Sequence, residues 1–176
     1  MTSILSDDLV LLRRLERSDI EGNYGRWFDD PEVSRNNRHG RFPMSRRALE
    51  EYVANSEIDK SLLVLAVVIR ETGTHIGNIS LQNIDWIDRR AEIAFLLGEK
   101  QWQGKGVMFR AGGLLIEHAF RALNLQRVYC GTFDTNTNMK KLAVKLGMHE
   151  EGRFRKHVYK NGEYVDLLWY GVCSGE

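Results

Sequence analysis

Cysteine is scarce. Only Cys130 and Cys173 occur in 176 residues, too few for a disulfide scaffold and without metal-ligand spacing. The five histidines (His39, His75, His118, His149, His157) form no H-x-x-x-H pair and no pairing with cysteine, so no metal site is expected. Net charge is nearly absent too, at +1. No global field therefore draws the chain to nucleic acid or to a membrane. The longest purely apolar run, residues 62–69, is far short of a membrane span. The opening MTSILSDDLV has no basic segment ahead of a long apolar run, so no secretory leader is expected. Repeats, linkers and low-complexity stretches are missing as well. What remains is 43% hydrophobic and 28% charged residues, an ordinary globular balance. The length suits one domain over residues 1–176, and the cytoplasm is the expected compartment.

The pattern along the chain is mixed. Residues 9–15 read as a first strand. Ser18 with Glu21 forms a capping-box signature, which predicts a helix over residues 19–28, broken by Asp30-Pro31. A polar loop follows. Ser45 then caps a second helix with Leu49, Tyr52 and Val53 on one face. Residues 62–69 are a buried strand, the turn at 71–74 leads to a strand over 75–84, and a loop at 85–89 leads to another over 91–97. A glycine-rich turn opens into a helix over 107–123. A strand at 127–133 and a helix from about Asn136, ended by Gly147, come next. Asn161-Gly162 is a strong type I′ hairpin signal between two final strands. An antiparallel first half thus precedes strand, helix, strand, helix and hairpin.

The glycine turn, Q-W-Q-G-K-G at residues 101–106, carries the first chemical hint. Glycines let phosphate oxygens approach, and backbone N–H groups at a helix start point at anions. A plain strand-to-helix connection explains the same residues equally well by spacing alone. The turn is not a P-loop, because no Ser or Thr follows Lys105. It is not G-x-G-x-x-G either, because Phe109 stands where the third glycine should fall.

Q-W-Q-G-K-G resembles the Q/R-x-x-G-x-G/A signature of the GNAT acyltransferase superfamily, and it lies between a strand and a long helix as that family requires. Asn136 opens a stretch that closes L-G-M at Met148, like the family's downstream helix. The front W-F-D-D-P-E-V and the tail G-R-F-R-K-H…N-G-E-Y-V-D-L-L-W-Y resemble the RimJ/RimL-like branch. The resemblance spans nearly the whole chain. It implies an α+β fold: a mixed, mostly antiparallel sheet of about seven strands, splayed at an acetyl-CoA site and flanked by about four helices. It implies that the backbone of Gln103, Gly104, Lys105, Gly106 and Val107, with Gln101 ahead of them, holds a pyrophosphate. Main-chain groups of Phe95, Leu96 and Leu97 would pair with the pantetheine arm. Asn136 would reach the pantetheine or the thioester. Lys105 and Lys141 are phosphate partners or simply solvated lysines.

An acceptor amine must lose its charge before it attacks, and α-amino or lysine-like amines have pKa values of roughly 7.7–8.0 and 10.4. A base is therefore useful. Glu92, on the strand before the turn, stands where several GNAT enzymes carry a glutamate base. The alternative is an ion pair with Arg89, Arg90 or another arginine. In many relatives a tyrosine seven residues after the helix asparagine protonates the leaving thiolate, but that position is Ala143 here. Tyr129, Ser80 and Tyr170 are substitutes among which the sequence does not choose. Cys130 reads better as a small buried strand residue than as a nucleophile.

The segment 33–47 holds Arg35, Arg38, Arg41, Arg46 and Arg47 and no acidic residue. If it borders the acceptor opening, it suits an anionic amine such as a nucleotide-linked amino sugar. It reads equally as an exposed loop balanced by Glu50, Glu51 and Asp29. Arg38, Phe42, Asn78 and Trp86 are candidate acceptor contacts. The expected activity is direct transfer of acetyl from acetyl-CoA to a small-molecule primary amine in a ternary complex. Acetylation of a protein N-terminus and non-catalytic acyl-CoA binding remain as alternatives. Pairing of two copies through the C-terminal hairpin is open.

Overall fold

The computed structural model describes residues 3–37, 41–42 and 44–176. Eight strands form one sheet in the order β1-β2-β3-β4-β5-β6-β8-β7. They are β1 (Leu5–Ser6), β2 (Val10–Arg14), β3 (Leu63–Ile69), β4 (His75–Asp85), β5 (Arg90–Leu97), β6 (Arg127–Phe133), β7 (His149–Lys160) and β8 (Glu163–Cys173). Every pairing is antiparallel except β5 with β6. The helices are α1 (Arg17–Glu21), α2 (Tyr24–Asp29), α3 (Pro31–Ser34), α4 (Arg46–Ile58), α5 (Val107–Arg121) and α6 (Thr137–Lys145). None of the described helices is long and apolar enough to cross a membrane.

The continuous apolar run of β3 is explained by burial on both faces. Leu65, Val67 and Ile69 join the core beneath α5 and α6. Val64, Ala66 and Val68 join a second core beneath α1, α2 and α4. The sheet is therefore a middle layer, and its two faces serve different helices.

Three details differ from the sequence reading. The short edge strand β1 and the short helix α3 are additions. α3 follows because Asp30 accepts from the Glu32 N–H and Pro31 sits in the first turn, so the Asp-Pro pair that ends one helix starts another. The single helix expected over 19–28 is two helices. Its cap is Glu16 with Asp19, not Ser18 with Glu21. The reason is tertiary: the Asp19 carboxylate is held by Arg13 of β2, through two hydrogen bonds of 2.7 Å. Elsewhere the local signals hold. Ser45 accepts from the Ala48 N–H, Gly147 ends α6 at φ +82°, and Asn161 and Gly162 turn the β7–β8 hairpin at φ +52° and +90°.

Candidate active site

The turn before α5 is built almost wholly from backbone. Lys100–Trp102 forms a 3-10 turn, and its carbonyls take the N–H groups of Gln103 (3.0 Å) and Lys105 (3.3 Å). Gly104 and Gly106 then adopt φ +74° and +76°, with open space where a Cβ would stand. Their glycine character is thus set by conformation rather than crowding. Gly106 is the N-cap of α5 and offers no capping side chain. The first intrahelical bond runs from the Arg110 N–H to the Gly106 carbonyl. The N–H groups of Val107, Met108 and Phe109 therefore have no acceptor within the helix and face outward as a positive end. This is a cradle suited to an anionic group. Lys105 sits over the Trp102 ring at 4.9 Å, and Lys141 is exposed on α6. Gln101 turns to a shallow hollow beside Asn23, Arg26 and Trp27.

β5 and β6 pair only over Arg90, Ala91 and Glu92 with Arg127, Val128 and Tyr129. Beyond Glu92 the two parallel strands separate, which leaves Ile93 to Leu97 without β6 partners. The edge expected to hold the pantetheine arm, Phe95, Leu96 and Leu97, lies on this opened stretch. Asn136 caps α6, its Oδ1 accepting from the Met139 N–H at 3.2 Å.

On the α2–α4 face of the sheet lies a cavity of about 620 Å³. Tyr24, Phe28, Leu49, Tyr52 and Leu62 make its apolar wall. Asn78, Ser80, Gln82 and Asn83 form its floor, and Ala94, Phe95 and Leu96 of β5 close it. The cavity therefore touches the same β5 residues that line the opened edge. Cross-strand pairs put Glu92 opposite Gln82, so Glu92 shares a sheet face with Ser80, Ala94 and the floor. Asn83 approaches the half-buried Glu92 carboxylate at 3.5 Å. The arginines next to it in sequence are engaged elsewhere: Arg90 with Asp85 and Asp88, and Arg89 with the Asn124 carbonyl.

The four expected acceptor contacts have different placements. Asn78 is in the cavity floor. Phe42 is exposed outside the cavity lining, where Met44 stands instead. Trp86 also lies outside the lining, its indole N–H donating to the Lys60 carbonyl at 3.0 Å. Arg38 lies outside the described residues. Part of the basic rim is paired: Arg46 with Glu21 and Glu50 and Arg47 with Glu51, while Arg41 donates to the Tyr159 carbonyl.

Among the substitutes for the missing tyrosine, Tyr129 stands beside Glu92 on the adjoining strand. Burial and then the nearby Glu92 charge raise its pKa, so it keeps its proton at neutral pH. Tyr170 is buried on the opposite face and donates to Glu150 at 2.9 Å. Ser80 is in the cavity floor, with Gln82 donating to its oxygen at 3.0 Å. Ala143 is fully buried. Burial also pushes the Cys130 thiol up to about 12, and it lies 3.7 Å from the Met148 sulfur. It is a core residue. Among the described residues no cluster of three or more His, Cys, Asp or Glu could hold a metal.

The group that sequence reasoning missed lies behind the floor. Arg13 and Asp19 are buried and His75 is partly so, in a row that ends at Asn78. Spacing along the chain gives no sign of it, since the members come from β2, α1 and β4.

Comparison with known proteins gives the family. The family model for the acetyltransferase (GNAT) domain matches residues 10–149. A Bacillus subtilis protein provisionally named ribosomal N-acetyltransferase YdaF is 36% identical over 104 residues, 59% of this chain and 56% of that protein. The uncharacterized N-acetyltransferase p20 of Bacillus licheniformis is 27% identical over 174 residues, 98% of this chain and 97% of that one. Among solved structures, spermidine N-acetyltransferase from Vibrio cholerae in complex with CoA and spermine superposes with a TM-score of 0.87 at 23% identity, covering 95% and 96% of the two chains. RimL, a ribosomal L7/L12 α-N-protein acetyltransferase in complex with CoA, gives 0.86 at 17% identity with 98% of each chain covered. The chain belongs to the GNAT family and is an acetyl-CoA-dependent N-acetyltransferase.

Proposed function

We propose that this enzyme acetylates a primary amine of a small molecule by direct attack in a ternary complex. The carrying observation is that the cavity and the opened edge of β5 meet at Phe95 and Leu96. An amine in the cavity and a thioester along that edge would come together at one strand. A volume of about 620 Å³ is also in the range of small-molecule sites. The Gly104–Gly106 turn and the α5 N-terminus would hold the pyrophosphate, Phe95 to Leu97 the pantetheine arm, and Asn136 its reactive end. Acetyl-CoA supplies the acetyl group as an activated thioester. Glu92, directly or through water, takes the proton that the attacking amine must lose. A thiol pKa of ~8.5 lets CoA depart as thiolate without a tyrosine at position 143. The pairing of Arg46 and Arg47 weakens the case for an anionic amino sugar, and no relative described above carries such a name.

CoA-thiol release from acetyl-CoA against a panel tests the reading. The panel is small primary amines, N-terminal peptides of ribosomal proteins, and spermidine. Turnover of a small amine supports it. Turnover of peptides alone transfers it to protein N-terminal acetylation, as the YdaF name suggests. Silence across the panel with acetyl-CoA bound would favour a non-catalytic acyl-CoA binder.

A further inference from the structure

His75 belongs to no part of the proposed reaction, yet it is clamped on every side. Its Nδ1 lies 3.2 Å from Asp19 Oδ1. Its Nε2 lies 3.0 Å from the Gly77 carbonyl and 2.8 Å from Asn78 Oδ1. The Trp27 and Tyr24 rings of α2 pack against it at 4.9 and 6.0 Å. Asp19 is in turn held by Arg13 and by the Glu16 N–H. Burial alone would raise the Asp19 pKa, but the hydrogen bonds from Arg13, His75 and Glu16 outweigh it and hold the carboxyl below its usual range. A carboxylate and a backbone carbonyl can only accept. They face different nitrogens of one ring, so each of these contacts is a hydrogen bond when the nitrogen it faces carries a proton. Asn78 shares Nε2 with the Gly77 carbonyl and must present its oxygen there. Its NH₂ group is then turned away from His75. One polar neighbour on that side is Tyr24, whose hydroxyl bonds with Asn78; the cavity is the other. Ser80, two residues on, receives Gln82 on its oxygen and keeps its own proton to donate.

We propose that His75 is a positioning residue of the acceptor cavity: with Asp19 behind it, it turns the Asn78 carboxamide so that Asn78 and Ser80 together donate to a carbonyl or hydroxyl oxygen of a bound molecule. This rests on the acyl-transfer reading given above. Such a floor mismatches a polyamine, which offers only N–H donors along its length. Asp59, the one carboxylate among the described residues that line the cavity, already accepts from the Ser61 N–H and hydroxyl. The oxygen belongs either to the amine acceptor or to the acetyl thioester, since Asn78 pairs across the strands with Leu96 of the opened edge.

Two measurements on the full chain test this. Ring-nitrogen ¹⁵N spectra at pH 7 should show both His75 nitrogens protonated, and Asp19→Asn should abolish that state. A neutral His75 with bare Nε2 would overturn the proposal, because Asn78 would then be reversed. The kinetic arm compares phenethylamine with phenylalaninamide, which adds one carboxamide to the same skeleton and suits the aromatic wall. His75→Leu should cost about tenfold, the worth of one hydrogen bond in a buried site, with partial recovery in His75→Gln. A KM increase confined to phenylalaninamide assigns the oxygen to the acceptor. An equal loss of kcat with both amines assigns it to the thioester. Unchanged kinetics in both His75→Leu and Ser80→Ala would sink the idea. If neither amine is acetylated, the small-amine reading fails, while the spectra still decide the clamp.

Discussion

The glycine turn, which follows β5, and the cavity proposed for the acceptor, which is closed by β5, are made of different material. The turn offers backbone N–H groups, and its residues are consecutive. Its geometry depends on two positive-φ glycines and a helix that starts without a cap. The cavity offers side chains from α2, α4, β4 and β5. Its floor is oriented by charges buried one layer deeper, on β2 and α1. A backbone site tolerates many side chains and can be shared widely, whereas a side-chain site can be retuned residue by residue. One fold can therefore keep its cosubstrate and change its acceptor.

The largest expected effect breaks the first region and spares the second. Gly104→Glu should remove measurable CoA binding, because it puts a side chain and a negative charge on the anion site. The left-handed backbone there adds a strain of about 1–2 kcal/mol, so the melting temperature should fall by only a few degrees. Calorimetric titration with CoA checks the first part and a thermal melt the second. CoA affinity at the native level would remove the cradle assignment.

Glu92→Gln acts where the regions meet. Turnover should fall by about 10²–10⁴-fold, most at low pH where the amine most needs a base, with CoA affinity retained. A pH–rate profile identical to that of the native enzyme would exclude Glu92 from the chemistry.

Asp19→Asn breaks the support of the cavity. Removing one partner of a buried pair costs about 3–5 kcal/mol, since Arg13 would stay buried and uncompensated. The folded-state pKa of Asp19 is depressed, so its contribution is present above the ordinary carboxylate value of ~3.9 and is lost as pH falls through the folded value. The gap in melting temperature between native and Asp19→Asn proteins should therefore narrow below about pH 4. A gap that stays constant would mean that Asp19 does not titrate with unfolding.

The smallest effect concerns the rim. Arg47 and Glu51 are exposed and adjacent on α4, and such pairs contribute little. Arg47→Ala should leave both the melting temperature and the acceptor KM unchanged. A clear rise in KM would restore the basic rim to a role in recognition.

Local signals were readable because their causes are local. The Asn161-Gly162 hairpin, the Ser45 cap and the Gly147 stop each follow from the backbone preferences of one or two residues. The glycine turn was readable for the same reason, and so was the strand that carries Glu92. The cap of α1 at Glu16 with Asp19 was not, because Arg13 claims the Asp19 carboxylate from another strand. Phe42 and Trp86 were candidate acceptor contacts, but their exposure and the Trp86 bond to Lys60 are matters of packing.

By itself, the sequence determined the order of the longer strands and helices, the positive-φ turn before α5 and the position of Glu92 on the strand leading to it. Periodicity, caps and glycine freedom act over a few residues, and their outcome is carried within those residues. Only the tertiary structure decided that β5 parts from β6 after Glu92, that a cavity opens against Phe95 and Leu96, and that Arg13, Asp19, His75 and Asn78 align behind it. Those arrangements depend on which groups meet across β2, α1, β4 and β5. That meeting is set by burial and by the need of each buried charge for a partner.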